Sequence, residues 1–273
     1  MPLPLFHVDA FAQRPFEGNP AAIVPLDAWL AEGTMQAIAA ENNLAETAFF
    51  VPEGAGFALR WFTPTVEVDL CGHATLATAH VLFAHLGYGG EAIAFATRSG
   101  TLTVRRGDGG WLEMDFPARP SKPMAAPAEL GALLGRRPRM VMTGANLIAV
   151  FDTAADVAGL TPAFTPLADF LRPRNQILIA TATADAASEG DMAGVDVVAR
   201  VFAPAHGIPE DPVTGSAYCD IAPFWARKLK KDALVARQIS PRGGTVRCAV
   251  KGDRVIIEGQ CTDYLTGEIR VDG

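Results

Sequence analysis

The sequence predicts an α+β fold made of two similar halves, and three observations carry that prediction. The phrase Arg-x-Phe-x-Pro occurs twice, as Arg60, Phe62, Pro64 and again as Arg200, Phe202, Pro204. Each copy runs through a carboxylate, Asp69 or Asp211, into Gly72-His73-Ala74 or Gly215-Ser216-Ala217, followed by an apolar, Ala-rich stretch that reads as a helix just after its start. The remainder of each half is a series of short apolar runs punctuated by Gly, Pro and charged turns, the pattern of many strands around few helices. A period near half the chain is too long for a solenoid and points to two related halves.

The elements follow in order. Leu5–Phe11 alternates as a strand, the turn Pro15–Pro20 leads to a strand at Ala21–Pro25, and Asp27 is a candidate N-cap for a helix closing at Asn42-Asn43. Glu46–Val51 and Phe57–Phe62 are strands. Gly72–Leu86 is apolar almost all round, which predicts a helix buried inside its domain. Strands follow at Ile93–Thr97, Gly100–Arg105 and Trp111–Phe116, then a Pro-rich connection through Pro117, Pro120, Pro123 and Pro127. The second half has strands at Arg139–Met142 and Asn146–Phe151, a short helix at Pro166–Leu171 capped by Thr165, and strands at Gln176–Thr181 and Val195–Phe202. The second central helix, Ala217–Lys230, contains Pro223, which removes a rung of its hydrogen-bond ladder. Strands at Leu234–Ile239, Gly244–Val250 and Val255–Gly259 complete the pattern. The expected domains are residues 1–118 and 119–273, with a return of the last strand to the first domain left open.

Composition narrows the function. The chain has 273 residues, 23 Lys plus Arg and a formal charge of −7, and its densest basic runs, 136–139 and 227–231, are short. Nucleic acid is therefore not an expected partner. The first residues carry two early prolines, no basic region and no unbroken apolar run, and nowhere does an apolar stretch approach the roughly 18–20 residues of a membrane helix; a cytoplasmic protein is expected. Cys71, Cys219, Cys248 and Cys261 form no CxxC pair and no metal spacing, so neither a disulfide framework nor a zinc site is expected. Cys71 stands apart because it precedes a helix start, where a thiol pKa is lowered.

The chemistry is expected at the two helix starts. Unpaired N–H groups and the positive end of the macrodipole, about half an elementary charge, make a helix N-terminus a cradle for anions without Lys or Arg. Two such termini facing one place suit a carboxylate substrate, held by Gly72, Gly215, Ser216 and the backbone at Cys71 and His73. Glu46 lies among Leu44, Ala45, Ala48 and Phe49, a setting expected to raise its pKa and fit it for both acid and base roles. His73, at a helix start, is expected to be neutral. Asp211, before Pro212, is expected in an extended or turn conformation.

The motifs Val8-Asp9-Ala10-Phe11, Phe16-x-Gly18-Asn19-Pro20-Ala21, Asn43-Leu44-Ala45-Glu46-Thr47, Asp69-Leu70-Cys71-Gly72-His73-Ala74-Thr75, Asp115-Phe116-Pro117-Ala118, Gly207-Ile208-Pro209-Glu210-Asp211-Pro212-Val213-Thr214-Gly215-Ser216-Ala217 and Gln238-x-Ser240-Pro241-Arg242-Gly243-Gly244 run in order across nearly the whole chain. With them the sequence resembles the PhzF-like proteins, isomerases of the phenazine-biosynthesis type in the diaminopimelate-epimerase-like superfamily. The resemblance implies two pseudo-symmetric, barrel-like sheet domains, each around a central helix, an active site in the cleft between them, a homodimer and no cofactor. It also implies that Glu46 is the catalytic acid/base, moving a proton between carbons of a cyclic dienyl amino acid, with His73, Asp211 and Ser216 as helpers. Two alternatives belong to other classes. One is an amino-acid racemase or epimerase using Cys71, although the second helix start has no matching cysteine; the other is a non-catalytic small-molecule binder, for which a proton carrier is superfluous.

Overall fold

A computed structural model describes residues 2–185 and 189–271. The chain is α+β, with strands far outnumbering helices. It divides into two compact units, Met1–Asp115 with Glu258–Gly273, and Phe116–Ile257. The sequence had placed the division after residue 118.

In the first unit, β1 (Pro2–Ala10) pairs antiparallel with β2 (Asn19–Pro25), and α1 (Glu32–Asn42) connects β2 to its parallel neighbour β3 (Glu46–Glu53). β4 (Gly56–Phe62) runs antiparallel to β3, and the two-residue β5 (Glu67–Val68) turns back on it before α2 (Gly72–Ala84) begins. β6 (Ala92–Thr97) lies parallel to β4, β7 (Gly100–Arg106) antiparallel to β6, and β8 (Leu112–Pro117) antiparallel to β7. The buried face of α2 includes Ala74, Leu76, Ala77, Ala79, Val81 and Leu82, so the helix is enclosed as its all-round apolar sequence requires. A second cluster joins Val24, Met35, Phe49 and Phe62 beneath α1.

One expectation needs correction here. Asp27 does not cap α1. Leu26 N–H is still bonded to Phe50 O at 2.9 Å, which keeps the chain extended, and the first helical turn bonds to Ala31 instead. The helix ends at Asn43, in the left-handed conformation with φ of 48°.

The second unit holds β9 (Lys122–Met124), α3 (Leu130–Leu134), β10 (Met140–Thr143), β11 (Leu147–Val150), α4 (Ala154–Ala158), α5 (Phe164–Leu171), β12 (Leu178–Thr183), β13 (Val197–Ala203) and β14 (Ile208–Asp211). After α6 (Ala217–Leu229) come β15 (Ala233–Gln238), β16 (Gly244–Lys251) and β17 (Arg254–Gly259). β11–β12 and β13–β15 are parallel; β10–β11, β12–β13, β13–β14 and β15–β16 are antiparallel. The short helices pack on one core containing Leu130, Val157, Leu167, Leu178 and Phe202. α4 has a full capping box, Thr153 with Asp156, whereas α5 starts at Phe164, so Thr165 is not its cap.

α6 continues through Pro223 because the carbonyl that Pro223 cannot serve, that of Cys219, accepts a 2.9 Å bond from the backbone N–H of Arg119. The last strand, β18 (Cys261–Arg270), returns to the first unit and pairs antiparallel with β1 from Pro2 to Ala10. No helix among the described residues is long and apolar enough to cross a membrane.

Candidate active site

The repeated phrase has a concrete local role in each unit. Arg60 donates through Nε and Nη2 to the two carboxylate oxygens of Glu67, both at 2.7 Å, and its guanidinium lies 5.2 Å from the ring centre of Phe62. Arg200 does the same to Glu210 at 2.7 and 2.8 Å and lies 5.0 Å from the Phe202 ring. Both forks are planar, bidentate and stacked, a geometry that Lys could not supply. Each ties a strand, β4 or β13, to the short antiparallel return strand, β5 or β14, from which the chain enters a central helix. The phrase is therefore a device for placing a helix N-terminus.

At the first of these, Cys71 is the N-cap of α2 in extended conformation, and its carbonyl accepts from the Thr75 hydroxyl at 2.6 Å and the Thr75 N–H at 3.2 Å. Glu46 is the first residue of β3, paired with Ala21 of β2, and the neighbouring Thr47 is held by Asn42 Nδ2 at 3.1 Å. Three side chains meet there. His73 Nε2 is 3.0 Å from Glu46 Oε2, and Cys71 Sγ is 3.5 Å from His73 Nδ1. All three residues are buried, at 9% exposed or less. Neither His73 Nε2 nor Glu46 Oε2 meets hydrogen-bond geometry despite the short approach, so opposite charge is the main attraction between them.

The protonation states differ from those expected from the sequence. Burial pushes Glu46 up, but the charge of His73 and the close polar approach of His73 and Cys71 outweigh it, and the carboxyl lies below its ordinary 4.5. Burial pushes the His73 ring down, yet the acidic groups Cys71 and Glu46 take it well above 6.5. The neutral imidazole expected at a helix start is thus disfavoured against the protonated ring, since one buried carboxylate at 3.0 Å exceeds half a charge of macrodipole. Cys71 also departs from expectation. Burial, then Glu46, raises its thiol above 9.0, so it is protonated at neutral pH.

Gly72 has its ordinary helical role with one distinction: a Cβ there would meet nothing within 4 Å. The fold does not require glycine at this position, and its lack of a side chain leaves open space in front of the helix start. Glu46, Cys71 and His73 also place three ligand atoms within 4.8 Å of one another.

The second helix start brings Asp211, Gly215 and Ser216 together in the other unit. Asp211 ends β14 and accepts a short bond from the Thr214 hydroxyl. Gly215 and Ser216 open α6 with a tight turn, their carbonyls accepting from Tyr218 and Cys219 N–H at 3.1 Å. Arg119 binds the Ser216 carbonyl and, at 2.7 Å, the fully buried carboxylate of Asp220, which also accepts from Asn146 at 3.0 Å.

Sequence reasoning missed the supports of this loop. Gln238, fully buried, donates to Asp211 O at 2.6 Å and accepts from Thr214 N–H at 2.9 Å, while Ser240 donates to Pro212 O at 2.7 Å. The motif beginning at Gln238 was the signal, and its role is to clamp residues 211–214.

Comparison with known proteins bears directly on this geometry. The profile of the PhzC-PhzF family, described as phenazine biosynthesis-like protein, matches residues 8–267. The chain belongs to the PhzC-PhzF family. An uncharacterized isomerase of Pseudomonas aeruginosa is 46% identical over 271 residues, covering 99% of this chain and all of the relative. A crystal structure of a PhzF-family phenazine biosynthesis protein from Enterococcus faecalis superposes with a TM-score of 0.93 at 42% identity, over 99% of this chain and all of that one. A hydroxyproline epimerase from Agrobacterium vitis shares the fold alone, with a TM-score of 0.59 at 13% identity over 98% of this chain and 91% of the other. The fold is that of PhzF-family and epimerase-like proteins, and the chain is a PhzF-like isomerase.

Proposed function

We propose that this PhzF-like protein is a cofactor-independent isomerase that moves a proton between two carbons of a small, cyclic amino-acid-type carboxylate, with Glu46 as the proton carrier. The observation that carries the reading is the buried ion pair of Glu46 and His73 at the amino end of α2. An ionised, partly desolvated carboxylate is a competent base. It takes a proton as the substrate C–H bond breaks and the electron pair delocalises toward the carboxylate, and burial then favours the neutral acid long enough to return the proton at a second carbon. Electrons balance without an oxidant. His73, charged at rest, stabilises the carboxylate form of Glu46 and can donate to an oxygen of the developing anion.

In this reading the N–H groups at Gly72 and His73 receive substrate negative charge; Asp211, Gly215 and Ser216 are further candidate substrate contacts, Asp211 for an amine or hydroxyl. The protein acts as a homodimer, without nucleic acid or membrane partners, in the cytoplasm. The test is a screen of small cyclic and aromatic amino acids for deuterium uptake in heavy water. Glu46→Gln, which keeps shape and removes the exchangeable acid, is expected to lower exchange and turnover about 10²–10⁴-fold. Unchanged exchange in that variant would overturn the assignment.

A further inference from the structure

A second cluster of chemistry-bearing side chains lies in the first unit, away from the amino end of α2. His80, on α2, and His85, its C-cap, both direct Nε2 at one carboxylate oxygen, Asp263 Oδ1 on β18, at 3.1 and 3.0 Å. The three ligand atoms all lie within 4.8 Å of one another. Nothing in the proton-transfer reading uses them. We propose that His80, His85 and Asp263 form a binding site for a zinc-class divalent cation, a clamp between the carboxy end of α2 and the returning strand β18.

Four features of the cluster favour a cation. Two imidazoles and one carboxylate are the donor set of three-ligand zinc sites that keep a fourth position open, and they suit zinc, nickel or copper better than magnesium or calcium. Ligands held about 2.0–2.1 Å from a tetrahedral ion stand about 3.3 Å apart, so atoms already at 3.0 and 3.1 Å need to spread only slightly. The side chains are 20%, 27% and 43% exposed, enough for an ion and its remaining water to enter from solvent. His85 also caps the carboxy end of a 13-residue helix, where the macrodipole favours positive charge.

The backbone supports the placement. The β1–β18 register shifts between His7 and Val8, whose partners are Leu265 and Asp263, so Tyr264 is the extra residue of a bulge beside Asp263. Its ring packs at 4.7 Å on that of His7, and the His85 ring lies 5.0 Å from Phe6, which fixes two sides of the cluster. Without metal, each ring can donate an Nε2 proton to Asp263. Binding requires the Nε2 lone pair, so on binding that proton moves to Nδ1.

The test is calorimetric titration of zinc chloride into the full-length, chelator-treated protein, with thermal melting and cobalt spectroscopy alongside. Expected are one equivalent of zinc, a rise in melting temperature, and at least tenfold weaker binding in both His85→Gln and Asp263→Asn. Circular dichroism distinguishes lost binding from lost folding, and the half-exposed positions of both residues favour intact variants. Cobalt in this site gives no thiolate-to-metal charge-transfer band, and Cys71→Ser leaves binding intact. Absence of zinc binding, equal affinity in both outer-site variants, or a thiolate band marking the Glu46–Cys71–His73 group would each overturn the proposal.

Discussion

Replacing His73 by Gln removes the charge facing Glu46 while preserving much of the side chain's size, and the consequences follow from the opposed shifts of the pair. Burial is the largest influence on Glu46 and acts upward; His73 is what reverses it. In His73→Gln the Glu46 carboxyl is therefore expected to titrate above 4.5 instead of below it. Leaving one member of a buried pair uncompensated costs about 3–5 kcal/mol, and side-chain exposures of 9% and 12% place this pair near that regime.

The loss should depend on pH in a defined way. A depressed carboxyl contributes stability above its unfolded value, lost as pH falls through the folded one. A raised imidazole contributes fully below its unfolded value, lost as pH rises through the folded one. Both conditions hold from about pH 4.5 to 6.5, and the difference between wild type and variant should peak there and narrow on either side. Urea denaturation across pH 3–9, with carbon-13 titration of Glu46, reads both quantities. A flat stability difference, or a Glu46 carboxyl that stays below 4.5 in the variant, would refute the coupled-pair account.

Cys71→Ser is expected to keep most of the isomerase activity because burial holds the thiol protonated; abolished turnover in steady-state kinetics would move the protein to the thiol racemase class. Gly72→Ala should melt at or above the wild-type temperature, since the new methyl meets no neighbour, while weakening binding of a small carboxylate measured by calorimetry. Gly259→Ala should cost about 1–3 kcal/mol in denaturant unfolding, because its Cβ would stand 2.4 Å from the Phe11 ring and 2.8 Å from Leu76. Arg119→Met should destabilise by about 2–3 kcal/mol, below the full cost of a broken buried pair because Arg119 is a third exposed. Asp220→Asn should cost less in the same assay, because burial already holds that carboxyl above 3.8 and the ionised form is the expensive one.

What could be read from the sequence depended on whether local residues or distant partners decide the outcome. The first central helix was legible because its composition offers almost no polar face to solvent, so burial of α2 followed whatever surrounded it. β18 was not. Its ten residues include Asp263, Gly267, Glu268 and Arg270, are mostly exposed, and show no alternation; they are a strand because β1 supplies the ladder along their whole length. The start of α1 failed for a similar reason, since an extended Leu26 bonded to Phe50 outranks the capping propensity of Asp27.

The same division runs through the site. Residue identities at the helix starts were legible from the motif, but their charges were not, because local arguments used only the macrodipole for His73 and apolar neighbours for Glu46. The residues are far apart in sequence, and the pairing of β3 with β2 and β4 and the fork of Arg60 on Glu67 help bring β3's first residue to the first turn of α2. Once that contact exists, each group reverses the shift its own neighbourhood would impose. A proton carrier whose burial is offset by one partner has its charge set by geometry, so small displacements of α2 should change its basicity.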